Sequence, residues 1–283
     1  LGLAEIKMQV NTKQVQNEVL RAENKYAAQI LAAIDRLVKK VAHKDSEKDP
    51  ENISLERDLK SRSIYRQLWM PAVDMYALGV IHATGEKEFQ YTGVDNWILS
   101  KLTEHTISNI SYLSESIKPA LEATMVEGRK LGEDNREMAK RIQGVWDVER
   151  PRAMMLARTE GNEVYNQATL SSYRAMGGID AVIYSNPMDE RTSPICAMLN
   201  RTIWQIDDPG IIRPPAHFFC RSRLLSWGLN GERIPGERDF TKLSTGKTIP
   251  EAQVEKNLNR ITLFREKYWQ VPEINIPRVI KGY

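Results

Sequence analysis

The chain is poor in cysteine and histidine, with two of the former and four of the latter in 283 residues. Two cysteines cannot build the disulfide framework of a small secreted domain, so folding in a reducing, cytoplasmic compartment is expected. No run approaches the roughly 20 apolar residues that cross a bilayer, so no membrane partner is expected. Phosphate-cradling glycine loops, the Gly-x-Ser-x-Gly elbow, the His-Glu-x-x-His helix and the dinucleotide fingerprint are all missing from the sequence. Their absence argues against the commonest nucleotide-dependent and hydrolytic chemistries. Charge of one sign is scarce too. A net charge of +3 is too small to imply nucleic acid by itself. Residues 229–283 carry ten basic and seven acidic side chains, so the surplus lies in this C-terminal stretch. It reads first as a solvated polar tail and only second as a contact for DNA. The chain opens Leu-Gly-Leu without a methionine, which leaves its native N-terminus open.

What is present is an ordinary apolar fraction arranged with helical period. Ala27, Ile30, Ile34, Leu37 and Val41 recur at steps of three and four residues, the stripe of an amphipathic helix. A charged run around Pro50 reads as a loop. A second helical region is expected from about Ile53 to Thr84, with a kink or boundary at Trp69-Met70-Pro71. After GEKEFQYTGVDN the period returns through Leu99, Leu102, Thr106, Ile110, Leu113 and Ile117. Pro119 is placed to open a separate helix, and another is expected to start near Pro151. Along that last helix Ala153, Ala157, Val164, Ala168 and Ala175 form a stripe of small residues. Such a stripe lets another backbone approach closely, which suits an inner helix ended by Gly177-Gly178.

The period then shortens. Strands are expected at Ile179–Tyr184, around Thr202-Ile203-Trp204, and from Arg221 to Trp227. A final helix is expected from about Ile249 to Trp269. Helices first and a small antiparallel sheet last is an α+β order, mostly helical, rather than alternating α/β. The expected organisation is a helical region at 1–92, a core at 93–228 and an extension with one helix at 229–283.

Both cysteines, Cys196 and Cys220, fall close to His217 between two proline-bearing turns. Thiol and imidazole are the donors zinc prefers, but a closed structural site needs four. Ser193 occupies the position where a Cys-x-x-Cys pair would supply another thiolate, and Asp189 is the nearest carboxylate to fill the gap. The other reading makes both cysteines small buried hydrophobes, with His217 hydrogen-bonded to a carbonyl in its turn. In Asp189-Glu190-Arg191-Thr192, short polar residues cap a turn and Arg191 pairs with a carboxylate. Arg158 and Glu160 point to different faces of their helix. At least one of the two is expected to be structural. A buried Arg158 would take Asp189 or Glu190 as its partner.

The blocks ARTE at 157–160, DERTSPICAML at 189–199 and PPAHFFCRS at 214–222 resemble, in order and spacing, the Mu F-like phage head-morphogenesis family. Ser193 and Ser222 stand where that family often has cysteine, and Asn200 where it often has glycine. The resemblance covers about residues 150–228. It implies a non-enzymatic minor capsid protein of a tailed phage, assembled in the host cytoplasm and carried inside the capsid near the portal vertex. The implied partners are the portal protein, the major capsid protein and, at the basic extension, packaged DNA. The alternative from a different class is a zinc-dependent nuclease or hydrolase, since three protein ligands plus water make a catalytic zinc site.

Overall fold

A computed structural model describes residues 12–44, 62–85, 93–227 and 239–268. The loop expected around Pro50, most of GEKEFQYTGVDN, most of the loop after Trp227 and the tail after Trp269 lie outside the described residues. So do the side chains of Leu37, Val41, Leu113 and Ile117. The elements are α1 (Thr12–Lys44), α2 (Arg62–Thr84), α3 (Gly93–Lys130), α4 (Asn135–Met176), β1 (Ala181–Ser185), α5 (Pro194–Leu199), β2 (Ile203–Gln205), β3 (Arg223–Trp227) and α6 (Glu251–Tyr268). The fold is α+β and mostly helical, with a three-stranded antiparallel sheet ordered β2-β1-β3.

Three prolines lie inside helices, two of them where a helix start was expected. Pro71 neither bounds nor divides α2, Pro119 lies inside α3 rather than opening a helix, and Pro151 lies well inside α4. An interior proline costs about 3 kcal/mol through its missing donor and its ring clash. Apolar burial on both sides outweighs this, at about 1.5–3 kcal/mol per large side chain. Leu68 and Met75 flank Pro71, Leu102 and Met125 flank Pro119, and Trp146 and Leu156 flank Pro151, all of them buried. Pro119 and Pro151 are themselves exposed.

The described residues form two compact units that cut across the contiguous segments expected from the sequence. Helices α1, α2 and α4 each contribute residues to both. The helical unit holds residues 24–44, 62–73 and 93–161. Its apolar interior includes Ile30, Leu68, Ile98, Leu99, Leu102, Met125 and Ile142. Asp134 starts α4 with a capping box: its Oδ1 accepts from the backbone of Arg136 and Glu137 at 2.8 Å, and Glu137 Oε2 accepts from its own N–H at 3.0 Å.

The sheet unit holds residues 12–23, 74–85, 162–227 and 239–268. Residues 162–173 of α4 are buried without interruption, Val164 and Ala168 of the expected stripe among them, while Ala175 of that stripe is exposed. The core packs Leu170 and Tyr173 of α4 against Val182, Tyr184, Trp204 and Leu224 of the sheet, with Met198 of α5 and Ile261 of α6. Strand β3 is an edge, and an open edge invites pairing with other chains. Helix α4 covers it. Asn166 Oδ1 accepts from Leu224 N at 3.0 Å, and the Tyr173 hydroxyl accepts from Ser226 N at 3.1 Å. Gly177 and Gly178, with φ of +67° and +76°, end α4 and turn the chain into β1.

Candidate functional site: a buried thiol and imidazole cluster

The cluster is assembled by β1, α5 and the turn between β2 and β3. Ser193 caps α5, its hydroxyl accepting from Cys196 N at 3.1 Å, and Pro194 follows at the first helical position. This short helix, not anticipated from the sequence, carries Cys196 inward. Asn186, just after β1, donates to the Cys196 carbonyl at 2.5 Å and locks the turn to the sheet. The turn at 214–220 brings His217 and Cys220 from the other side.

Cys196 Sγ lies 2.9 Å from His217 Nε2 and 3.7 Å from Cys220 Sγ. The Tyr184 hydroxyl sits 3.7 Å from each sulfur, and Ser222 donates to Cys196 Sγ at 3.1 Å. Ser193 Oγ is 2.7 Å from His217 Nε2. His217 Nδ1 lies 2.6 Å from the Phe218 carbonyl, which can only accept, so this nitrogen carries the proton. In the neutral ring Nε2 is then the acceptor facing the sulfurs. Both sulfurs are buried, Cys196 being 4% and Cys220 2% exposed.

The thiols are electrostatically unequal. The hydrogen bond from Cys220, joined by those from Ser222, Ser193 and Tyr184, draws Cys196 down to about 6 against the opposing effect of burial. Burial, with the charge of Cys196 beside it, pushes Cys220 well up. Burial likewise raises the Tyr184 phenol. If one sulfur ionises, it is Cys196.

In type and placement the donors suit zinc. Cys196, His217 and Cys220 offer ligand atoms within 4.8 Å of one another. A metal-binding histidine characteristically donates its second N–H to a carbonyl, as His217 does to Phe218. A fourth soft ligand is what the described residues do not add: Ser193 and Ser222 hold the adjoining places, and a serine hydroxyl is a poor zinc ligand.

Asp189, the carboxylate expected to complete the set, is directed elsewhere. Its oxygens accept a fork from Arg221, at 2.7 Å from Nη1 and 2.5 Å from Nη2, and also accept from Arg191 N at 3.0 Å. The guanidinium beside it holds the carboxyl well below the usual carboxylate range. The expected partner, Arg191, is exposed and supplies its backbone N–H instead. Of the two charges two residues apart on α4, one is structural, as expected. Glu160, not Arg158, is the buried member, at 2% exposed. Its carboxylate accepts from Thr106 at 3.1 Å and Asn109 at 2.5 Å and lies 3.1 Å from His105 Nδ1, all within the helical unit. Arg158 is half-buried.

A cavity of about 280 Å³ also lies in the sheet unit, lined by His82, Tyr165, Arg221, Arg223 and Trp227 among others. Neither cysteine nor His217 lines it. The Arg223 guanidinium stands 5.7 Å over the Tyr165 ring, and the Tyr165 hydroxyl is 3.0 Å from His82 Nδ1. Burial lowers the His82 pKa, favouring a neutral ring.

Residues 119–225 match the family model described as Phage Mu protein F like protein. The match runs from the end of α3 into β3 and contains every residue of the thiol and imidazole cluster. No curated protein and no solved structure matches the chain.

Proposed function

We propose that this protein is a minor structural component of a tailed-phage head, docking to the portal protein or the inner capsid during head morphogenesis. The observation that carries the reading is the family match over 119–225, which encloses the three sequence blocks and the cluster. The cluster then serves attachment indirectly. It fixes the α5 turn and the 214–220 turn against β1, so the surface around them is presented rigidly. Zinc on Cys196, His217 and Cys220 would strengthen that role, since metal binding energy at a structural site becomes folding energy. Helices outside the match and the basic C-terminal stretch are the candidate docking elements. Amphipathic helices are a common means of seating one protein on another. The expected place of action is the virion, inside the capsid near the portal vertex, with assembly in the host cytoplasm.

The test is co-expression of the full chain with the portal and major capsid proteins encoded alongside it, followed by affinity capture and sedimentation. Recovery with the portal or with assembled heads is the expected result. Recovery with neither overturns the docking assignment. Deleting residues 1–45 or 229–283 then locates the contact.

The three-donor cluster also favours a second reading, a zinc-dependent nuclease or hydrolase acting on phage DNA. Metal-dependent DNA cleavage by the full chain, abolished by Cys220→Ala, would establish it over the structural role.

A further inference from the structure

The chain has two cysteines, and they face each other in one buried cluster. Their sulfurs are in van der Waals contact at 3.7 Å although 24 residues separate them in sequence. Around them the hydroxyls of Ser222 and Tyr184 and the Nε2 of His217 form a polar shell. The shell is lopsided. Ser222 and His217 sit against Cys196, while Tyr184 bridges both sulfurs. An apolar pocket for two inert thiols needs no such shell. It is what a pair that changes bonding needs, because charge forms and disappears on sulfur during exchange.

We propose that Cys196 and Cys220 are a reversible oxidation site, closing to an intramolecular disulfide in the metal-free protein, with Cys196 reacting first. With a peroxide as oxidant, Cys196 sulfur attacks one oxygen, the O–O bond breaks and Cys196 becomes a sulfenic acid. The thiol proton passes through His217 Nε2 to the departing oxygen, which leaves as water. Cys220 sulfur then attacks Cys196 sulfur. The S–S bond forms, the S–O bond breaks, and the hydroxide leaves as a second water with the Cys220 proton. One peroxide is reduced to two waters while two thiols are oxidised to one disulfide. A dithiol reductant restores both thiols by exchange. The bond needs the sulfurs to close from contact to about 2.05 Å. Zinc and the disulfide require the same two sulfurs, so each state excludes the other. The site does not depend on the capsid role.

The test uses the purified full chain, dialysed against a chelator and treated with equimolar hydrogen peroxide. Remaining thiols are alkylated and the intact mass is measured, in native buffer and in denaturant. Expected is an unalkylated monomer two hydrogens lighter, restored by reductant. The native chain should form it on the order of tenfold or more faster than the denatured chain, because the fold already holds the sulfurs together. In Cys220→Ser the reaction should stop at a sulfenic acid on Cys196 that dimedone captures. Three results overturn the proposal: both native thiols remaining alkylatable, disulfides forming only between chains, or a native rate no greater than the denatured one. The wild-type comparison decides the matter even if the variant fails to fold. A protein that forms this disulfide but ignores portal and capsid would refute only the docking role.

Discussion

Ser193 stands 2.7 Å from Nε2 of His217 while its hydroxyl also caps the helix that carries Cys196. One small side chain thus joins the two turns of the cluster. On the opposite side Ser222 reaches the Cys196 sulfur at 3.1 Å. Ser193 and Ser222 therefore both stand at the cluster, as groups that hydrogen-bond well and bind metal poorly.

Ser193→Cys should convert this network toward a closed four-donor site. A thiolate there would join Cys196, His217 and Cys220, and zinc affinity should rise by at least about tenfold, about 1.4 kcal/mol. Zinc per chain after dialysis against a competing chelator measures this. Ser193→Ala is the contrasting change. It removes the cap and should lower stability by about 0.5–2 kcal/mol without any gain in zinc. Equal zinc content in wild type, Ser193→Cys and Ser193→Ala would show that position 193 does not reach the metal.

Asp189 gives a pH-dependent prediction. Its native pKa is held below the unfolded value of about 3.9 by Arg221, so its stabilisation is complete above that pH and disappears as pH falls through the native value. The carboxylate is 41% exposed, which screens the pair and keeps its worth to about 1 kcal/mol. Asp189→Asn should therefore be less stable than wild type at pH 7 by roughly that amount. The gap should narrow as the pH drops below about 4. Urea midpoints at a series of pH values check both parts. A gap that widens in acid contradicts the assignment.

Asp189 also shows how the sequence is readable and where it is not. Arg191 is the guanidinium nearest along the chain, and local spacing favours it. Arg221 wins because the 214–220 turn folds back across 32 residues, which no short window reveals. The Cys196, His217 and Cys220 grouping was legible, because three soft donors between proline-bearing turns are unusual in a chain with so few. Tyr184 was legible only as a strand residue, since its hydroxyl meets the sulfurs through a register set by β1 and β3. Of the small-residue stripe, Ala153, Ala157, Val164 and Ala168 are buried, whereas Ala175 is exposed because α4 ends one residue later. Proline misled at Pro119 and Pro151, because a local breaker yields wherever the apolar stripe continues on both sides of it.

Glu160 is a buried acceptor for three side chains, and its removal should be costly. Glu160→Ala leaves Asn109, Thr106 and His105 facing an emptied site, with an expected loss of about 3 kcal/mol. Glu160→Gln keeps one carbonyl acceptor and the side-chain volume, so it should fall between alanine and wild type. Chemical denaturation of the three proteins provides the ranking. If alanine and glutamine are equally mild, the hydrogen bonds to Glu160 carry little of the stability of the helical unit.

Two glycines inside helices should respond to alanine with opposite sign. A Cβ at Gly79 would stand 2.6 Å from the Tyr165 carbonyl oxygen and 2.8 Å from Ala168 Cβ. The obstructing atoms are backbone and a methyl group, which cannot swing aside, so α2 would have to move away from α4. Overpacking of this kind costs about 1–3 kcal/mol, more than the gain of up to about 1 kcal/mol in helix propensity. At Gly144 an added Cβ meets nothing within 4 Å, and only the propensity gain remains. Gly79→Ala should therefore lower the melting temperature and Gly144→Ala should raise it. Since the helix propensity change is common to both, the difference between the two measures how tightly α2 is seated on α4 at Gly79. An unchanged melting temperature in Gly79→Ala would mean that the helices separate there at little cost.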